Sequence, residues 1–188
     1  MRVRLATAFD AAAIRAIYAP LVETTTISFE HTPPSEEEMA GRIRATLDRY
    51  PWLVAEDKGC VIGYAYAGPH RSRAAYQWSC EVSVYIHADA RRQGIAKTLY
   101  TMLFDALRFL GCVNAYAGIT QPNAPSVAFH EALGFEPVGV YRRVGFKHDA
   151  WHDVSWWQRP LREDAAPAPP RRLAEVVATE EWEAVLMG

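Results

Sequence analysis

The spacing of apolar and polar positions changes repeatedly along the chain, and each change marks an element. Residues 2–6, Arg-Val-Arg-Leu-Ala, alternate polar and apolar with the two-residue period of a half-buried strand. From Asp10 onward, Ile14, Ile17, Tyr18 and Leu21 recur at three and four residues, which predicts a helix capped by Asp10. A polar loop over 23–34 holds Thr24, Thr25, Thr26 and Phe29. Ser35-Glu36-Glu37-Glu38 has the form of a capping box and opens a helix to about Tyr50. The apolar runs 52–56 and 61–68 flank Asp57-Lys58-Gly59, a hairpin signal. A strand at 77–86, a helix at 94–110 and a strand at 113–119 follow. A short helix at 125–133 ended by Gly134, then strands at 135–144 and 151–159, complete the pattern.

That order mixes hairpins with one strand–helix–strand crossover, so the fold class is α/β with a mixed central sheet. Residues 1–162 read as one domain. Residues 163–188 read as a Pro/Ala-rich linker and tail, with A-A-P-A-P-P-R-R at 165–172. Within the tail, Val176, Val177, Trp182 and Val185 suit an amphipathic helix, expected as a loosely docked appendage or a dimer contact.

A chain of 188 residues is long enough to bury a core, and 50% hydrophobic with 22% charged residues is ordinary for a globular protein. The net charge of −2 offers no basic field for nucleic acid. Arginines are instead local, in Arg71/Arg73, Arg91/Arg92 and Arg142/Arg143, as an anionic small ligand requires. Cys60, Cys80 and Cys112 are odd in number and lack metal spacing. With no apolar leader at the N-terminus and no long apolar run, a reducing cytoplasm, buried thiols and no membrane are expected.

The clearest chemistry lies in 84–98. Val84-Tyr85-Ile86 leads towards Arg91-Arg92-Gln93-Gly94-Ile95-Ala96-Lys97 and a Leu-containing helix. A strand that enters a glycine turn and a helix start leaves unpaired backbone N–H groups at one spot. With the helix dipole and nearby arginines, that spot suits a pyrophosphate; a tight connection with solvated arginines fits the same residues. Glu81 lies in a strand of otherwise apolar or small residues, where a carboxylate needs a chemical task or a partner such as Arg71 or Arg73. Arg71-Ser72-Arg73 sets two cationic forks one residue apart, for an anionic group or as a solvated turn. His148 and His152, with Asp149 and Asp153, are ligand types spaced for zinc only on a helix. Gly145, Trp151 and the aromatic strand that follows argue against a helix there, so no metal is expected. Trp156-Trp157 alternates with Val154 and reads as sheet packing, with a dimer interface as the alternative.

Arg91-x-x-Gly94-x-Ala96 resembles the coenzyme A signature of the GNAT N-acetyltransferases. Tyr50-Pro51-Trp52-Leu53-Val54-Ala55-Glu56, Tyr66-Ala67-Gly68-Pro69, Leu99-Tyr100-Thr101 and His130-Glu131-Ala132-Leu133-Gly134 are similar to strings of the phosphinothricin and methionine sulfoximine acetyltransferase branch. So are Gly145-Phe146-Lys147-His148 and Trp151-His152-Asp153-Val154, and the order holds across residues 2–160. The resemblance implies a mostly antiparallel sheet, flanked by helices, whose splayed strand pair holds acetyl-CoA. It assigns the pantetheine arm to main-chain groups of Val84, Tyr85 and Ile86, and the pyrophosphate to Arg91 through Lys97. Asn123 and Ser126 would add cofactor contacts, although Asn123 equally suits a helix N-cap. It implies Glu81 as general base, directly or through water, and His130 as a proton carrier where the wider family has tyrosine. Arg71, Ser72, Arg73 and Tyr76 would hold an amino-acid analogue, Arg71 standing where the branch has lysine, with Phe29 as an aromatic wall. A homodimer is implied as well. Acetylation of another small amine or a protein N-terminus, and an acyl-CoA-binding sensor without catalysis, are the alternatives.

Overall fold

Strand and hairpin signals resolve into β1 (Arg2–Leu5), β2 (Trp52–Asp57), β3 (Cys60–Pro69), β4 (Ser79–Ile86), β5 (Asn114–Thr120), β6 (Glu136–Lys147) and β7 (Ala150–Pro160). The helices are α1 (Ala11–Thr24), α2 (Glu36–Leu47), α3 (Ile95–Leu110), α4 (Ala124–Ala132), α5 (Leu173–Val176) and α6 (Glu180–Met187). The structure, a computed structural model, describes residues 1–163 and 166–187. The strands form one 7-stranded sheet in the order β1-β2-β3-β4-β5-β7-β6. Every neighbouring pair is antiparallel except β4 and β5, the pair joined through α3.

Alternation along the strands sorts the core onto two faces. Cys80 and Val82 of β4 and Ala115, Ala117 and Ile119 of β5 pack with Leu99, Tyr100 and Leu103 of α3. On the opposite face Trp52, Val54 and Tyr64 pack with Ile14, Ile17 and Val22 of α1 and Met39 and Ile43 of α2, and Tyr85 joins them. On β4, therefore, Glu81, Ser83 and Tyr85 share the α1 face, while Val82, Val84 and Ile86 share the α3 face.

Several expectations need adjusting. Asp10 precedes α1 without capping it: its carboxylate accepts from the Thr7 N–H at 2.7 Å and from both terminal nitrogens of Arg4 at 2.8 and 2.9 Å. The capping box of α2 is present, but the helix stops at Leu47. Cys60 is exposed rather than buried, because it opens β3 directly after the hairpin turn. β6 and β7 run past their expected ends and meet in a two-residue turn, His148 and Asp149, both with positive φ. The tail folds as two short helices instead of one loose one, and it is docked: Leu173, Val176 and Trp182 are buried with Ala106 and Leu110 of α3. Asp164, Ala165 and Gly188, all within the expected linker and tail, lie outside the described residues. No helix among the described residues is long and apolar enough to cross a membrane.

Candidate active site

β4 and β5 pair only from Ser79–Glu81 to Asn114–Tyr116. Beyond that point β4 continues to Ile86 and β5 to Thr120 without a shared ladder, so the strands splay and their inner edges keep free main-chain groups. A cavity of about 610 Å³ occupies the gap. Val84, Tyr85, Ile86, Arg91, Arg92, Gly94, Ile95, Ala96, Lys97, Asn123, Ser126 and His130 all line it. Gln93 does not; its side-chain amide donates to the Asp89 carbonyl at 3.3 Å.

The turn before α3 is built by backbone conformation. Arg92 has φ 62° and Gly94 has φ 80°, both left-handed. A Cβ on Gly94 would meet nothing within 4 Å, so conformation rather than space calls for glycine there. Thr98 is the first residue of α3 whose N–H reaches a helical carbonyl, that of Gly94 at 3.1 Å, which leaves the Ile95, Ala96 and Lys97 amides unpaired within the helix. Those amides, the helix dipole, Arg91, Arg92 and Lys97 make a cradle whose donor chemistry fits a pyrophosphate. The splayed edge fits an amide-bearing arm. Asn123 lines the cavity and also caps α4, its Oδ1 accepting from the Ser126 N–H at 3.2 Å.

His130 sits on α4, on the α3 face, and is buried. Its Nδ1–H donates to the Ser126 carbonyl at 2.8 Å, and its Nε2 lies 3.4 Å from the Tyr100 hydroxyl. Burial holds it below the ordinary imidazole pKa, so Nε2 is a neutral lone pair facing Tyr100. Tyr100 lines the cavity as well.

Glu81 lies at the closed end of the split, on the α1 face. His70 Nδ1 approaches its Oε1 at 3.1 Å, and Arg71 Nη1 donates to the same oxygen at 3.2 Å. Burial pushes its pKa up, past the opposing pull of His70 and Arg71. His70 stacks on Tyr116 at 4.3 Å and stands edge-on to Trp156 and Tyr76 at 5.9 and 6.1 Å. Arg71 lies 5.7 Å from the Trp156 ring, which in turn meets Tyr141 at 5.6 Å. Arg71 thus joins the carboxylate and Tyr76 stands against His70, whereas Ser72 and Arg73 lie on the exposed connecting loop. Phe29 does not line the cavity: its ring lies where a Cβ on Gly145 would be, 2.2 Å away, while Ile27 and Leu21 supply the wall on that side.

His70, Tyr116, Trp156 and Tyr141 escape a reading of the sequence. They reach one place only through register, with Glu81 opposite Tyr116 and Gly118 opposite Trp156. Trp157 is core packing, as the alternation suggests, but Trp156 faces the Glu81 side. The His148/His152 pair is used in contacts to carbonyls, of Thr25 at 3.3 Å and Lys147 at 2.9 Å. Asp153 accepts from the Arg143 N–H at 2.7 Å.

A model of the acetyltransferase (GNAT) domain matches residues 3–156. The chain is 42% identical over 176 residues to a phosphinothricin N-acetyltransferase of Streptomyces viridochromogenes, covering 94% of this chain and 96% of that one. It is 36% identical over 168 residues to an L-methionine sulfoximine/L-methionine sulfone acetyltransferase of Salmonella typhimurium, covering 89% and 98%. Its fold is similar to the crystal structure of a GNAT superfamily phosphinothricin acetyltransferase from Sinorhizobium meliloti in complex with acetyl-CoA, with a TM-score of 0.84. That match has 42% identity and covers 89% of this chain and 91% of that one.

Proposed function

The chain belongs to the GNAT acetyltransferases, and from that membership we propose that it acetylates the amino group of phosphinothricin or a similar amino-acid analogue, such as methionine sulfoximine or sulfone. Acetyl-CoA supplies the activated acyl group as a thioester. The observation that carries the reading is the split between β4 and β5. An anion cradle and His130 line the cavity on the α3 face, and Glu81 with Arg71 stands at the closed end of the split on the α1 face, outside the cavity lining; this supports a donor and an acceptor that approach from opposite sides.

Glu81 takes a proton from the acceptor ammonium, directly or through one water, and frees the nitrogen lone pair to form the new C–N bond. Its raised pKa brings its proton affinity nearer that task. As the C–S bond breaks, the departing thiolate takes a proton from the Tyr100 hydroxyl, and Tyr100 is reprotonated from solvent by way of His130 Nε2. Main-chain N–H groups at the open edge by Tyr85 stabilise the developing oxyanion. Arg71 holds the acceptor's anionic group beside the Trp156 ring. Cofactor contacts come from Val84–Ile86, the 91–97 turn, Asn123 and Ser126. Acetylating such antimetabolites would confer resistance to them.

The catalytic unit in this reading is residues 1–162, with 163–188 as an appended strap, and the working form is a homodimer. β6 is one of the two edge strands of the described sheet, and Val138, Val140, Tyr141, Val144 and Phe146 on it stand roughly half exposed, a patch a second copy would cover. The test is thiol release from acetyl-CoA across phosphinothricin, methionine sulfoximine, methionine sulfone, ordinary amino acids and a peptide. Turnover with the analogues supports the reading. Turnover with the peptide alone moves the acceptor to protein N-termini, and coenzyme A binding without any turnover points to a sensor.

A further inference from the structure

Lys147 has no part in the chemistry above, yet it carries a buried charge. It is 2% exposed at the end of β6, and its Nζ donates to the Val22 carbonyl at 2.6 Å and the Ser28 carbonyl at 2.7 Å. Val22 belongs to the last turn of α1, where carbonyls lack helical partners and a cation is favoured. Ser28 belongs to the loop that follows. A buried ammonium must keep such partners, because losing them leaves an uncompensated charge.

These two carbonyls border the cavity wall. Among the described residues, Leu21 and Ile27 are the cavity-lining members of α1 and its following loop, and each immediately precedes a carbonyl that Lys147 holds. From α1 and α2 the loop is tied by side chains: the Tyr18 hydroxyl lies 2.7 Å from Ser28 Oγ and donates to Glu30 at 2.8 Å, while Arg42 grips Glu30. Lys147 ties its main chain across the split to the far side of the sheet. The hairpin tip adds the His148–Thr25 contact and the close seat of Phe29 on Gly145.

We propose that Lys147 is a positioning residue for the acceptor: by clamping Val22 and Ser28 it sets the Leu21–Ile27 wall, touching neither substrate. The inference rests on the reading that the acceptor enters on the α1 face. The variant is Lys147→Met in the full chain, which keeps the stem and removes the donors. Acceptor KM should rise on the order of tenfold, the scale of one lost charge-assisted hydrogen bond, with the acetyl-CoA KM within about twofold. Amides of residues 22–30 should lose hydrogen-exchange protection while those of β2 to β5 keep theirs. A lower melting point with both KM values unmoved overturns the proposal, and so does a parallel rise in both. If Lys147→Met does not fold, Lys147→Gln, which keeps one donor, is judged by the same split. If the wild-type chain acetylates nothing in the panel, the function reading fails instead. Exchange at 22–30 then decides the clamp, and unchanged protection there overturns it.

Discussion

Two opposing influences act on Glu81: burial disfavours its charge, while His70 and Arg71 favour it. Burial prevails, so the carboxyl titrates above its ordinary 4.5. In the proposed role of general base Glu81 is competent only when deprotonated, so kcat/KM should fall as the pH drops through that raised value, at a higher pH than an ordinary glutamate would give. His70→Phe keeps a ring against Tyr116 but removes a hydrogen bond that lowers the pKa, and the acid limb of the pH profile should move to higher pH. Glu81→Gln should reduce kcat by about 10²- to 10⁴-fold, the usual worth of a general base, with acetyl-CoA affinity by calorimetry unchanged. Glu81 is legible in the sequence because a carboxylate in an apolar strand needs a reason. His70 is not, since its meaning depends on where the chain after β3 folds back.

Among the elements, the β6–β7 hairpin departs furthest from its sequence pattern. The sequence pattern ends the strand at residue 144, just past Arg142 and Arg143. The structure instead has a register shift between Tyr141 and Gly145 and carries the ladder on to Lys147. The extension brings Gly145 under Phe29, where any Cβ would collide with the ring. Gly145→Ala should therefore destabilise by about 1–3 kcal/mol, the cost of overpacking, read as a lower midpoint in urea. The tail shows a related effect. Thr179 Oγ1 accepts from the Trp182 N–H at 3.2 Å and its hydroxyl donates to the Val176 carbonyl at 2.7 Å, which breaks the helix and starts another. The restart turns Trp182 into α3, 6.0 Å from the Phe109 ring. Trp182→Ala should cost about 3–5 kcal/mol, as large-to-small changes in a core do, seen as a fall in melting temperature.

In the molecule as a whole, the described sheet has one parallel junction, and the candidate site lies where that pair parts. At one edge of the sheet β6 carries exposed apolar side chains. Val140→Asp combined with Phe146→Asp should convert a dimer to a monomer in sedimentation velocity; a wild-type monomer would refute the homodimer. Local chemistry in the sequence determined most of the element order, the glycine turn before α3, the capping box of α2 and the carboxylate in β4. Each of these depends on neighbours within a few residues, where periodicity and backbone preference act. Tertiary structure alone decided that His70, Tyr116 and Trp156 surround Glu81, that Lys147 holds the Val22 and Ser28 carbonyls, and that the tail docks. Those contacts join residues far apart in the chain, and strand register and packing, which no local pattern encodes, determine which of them meet.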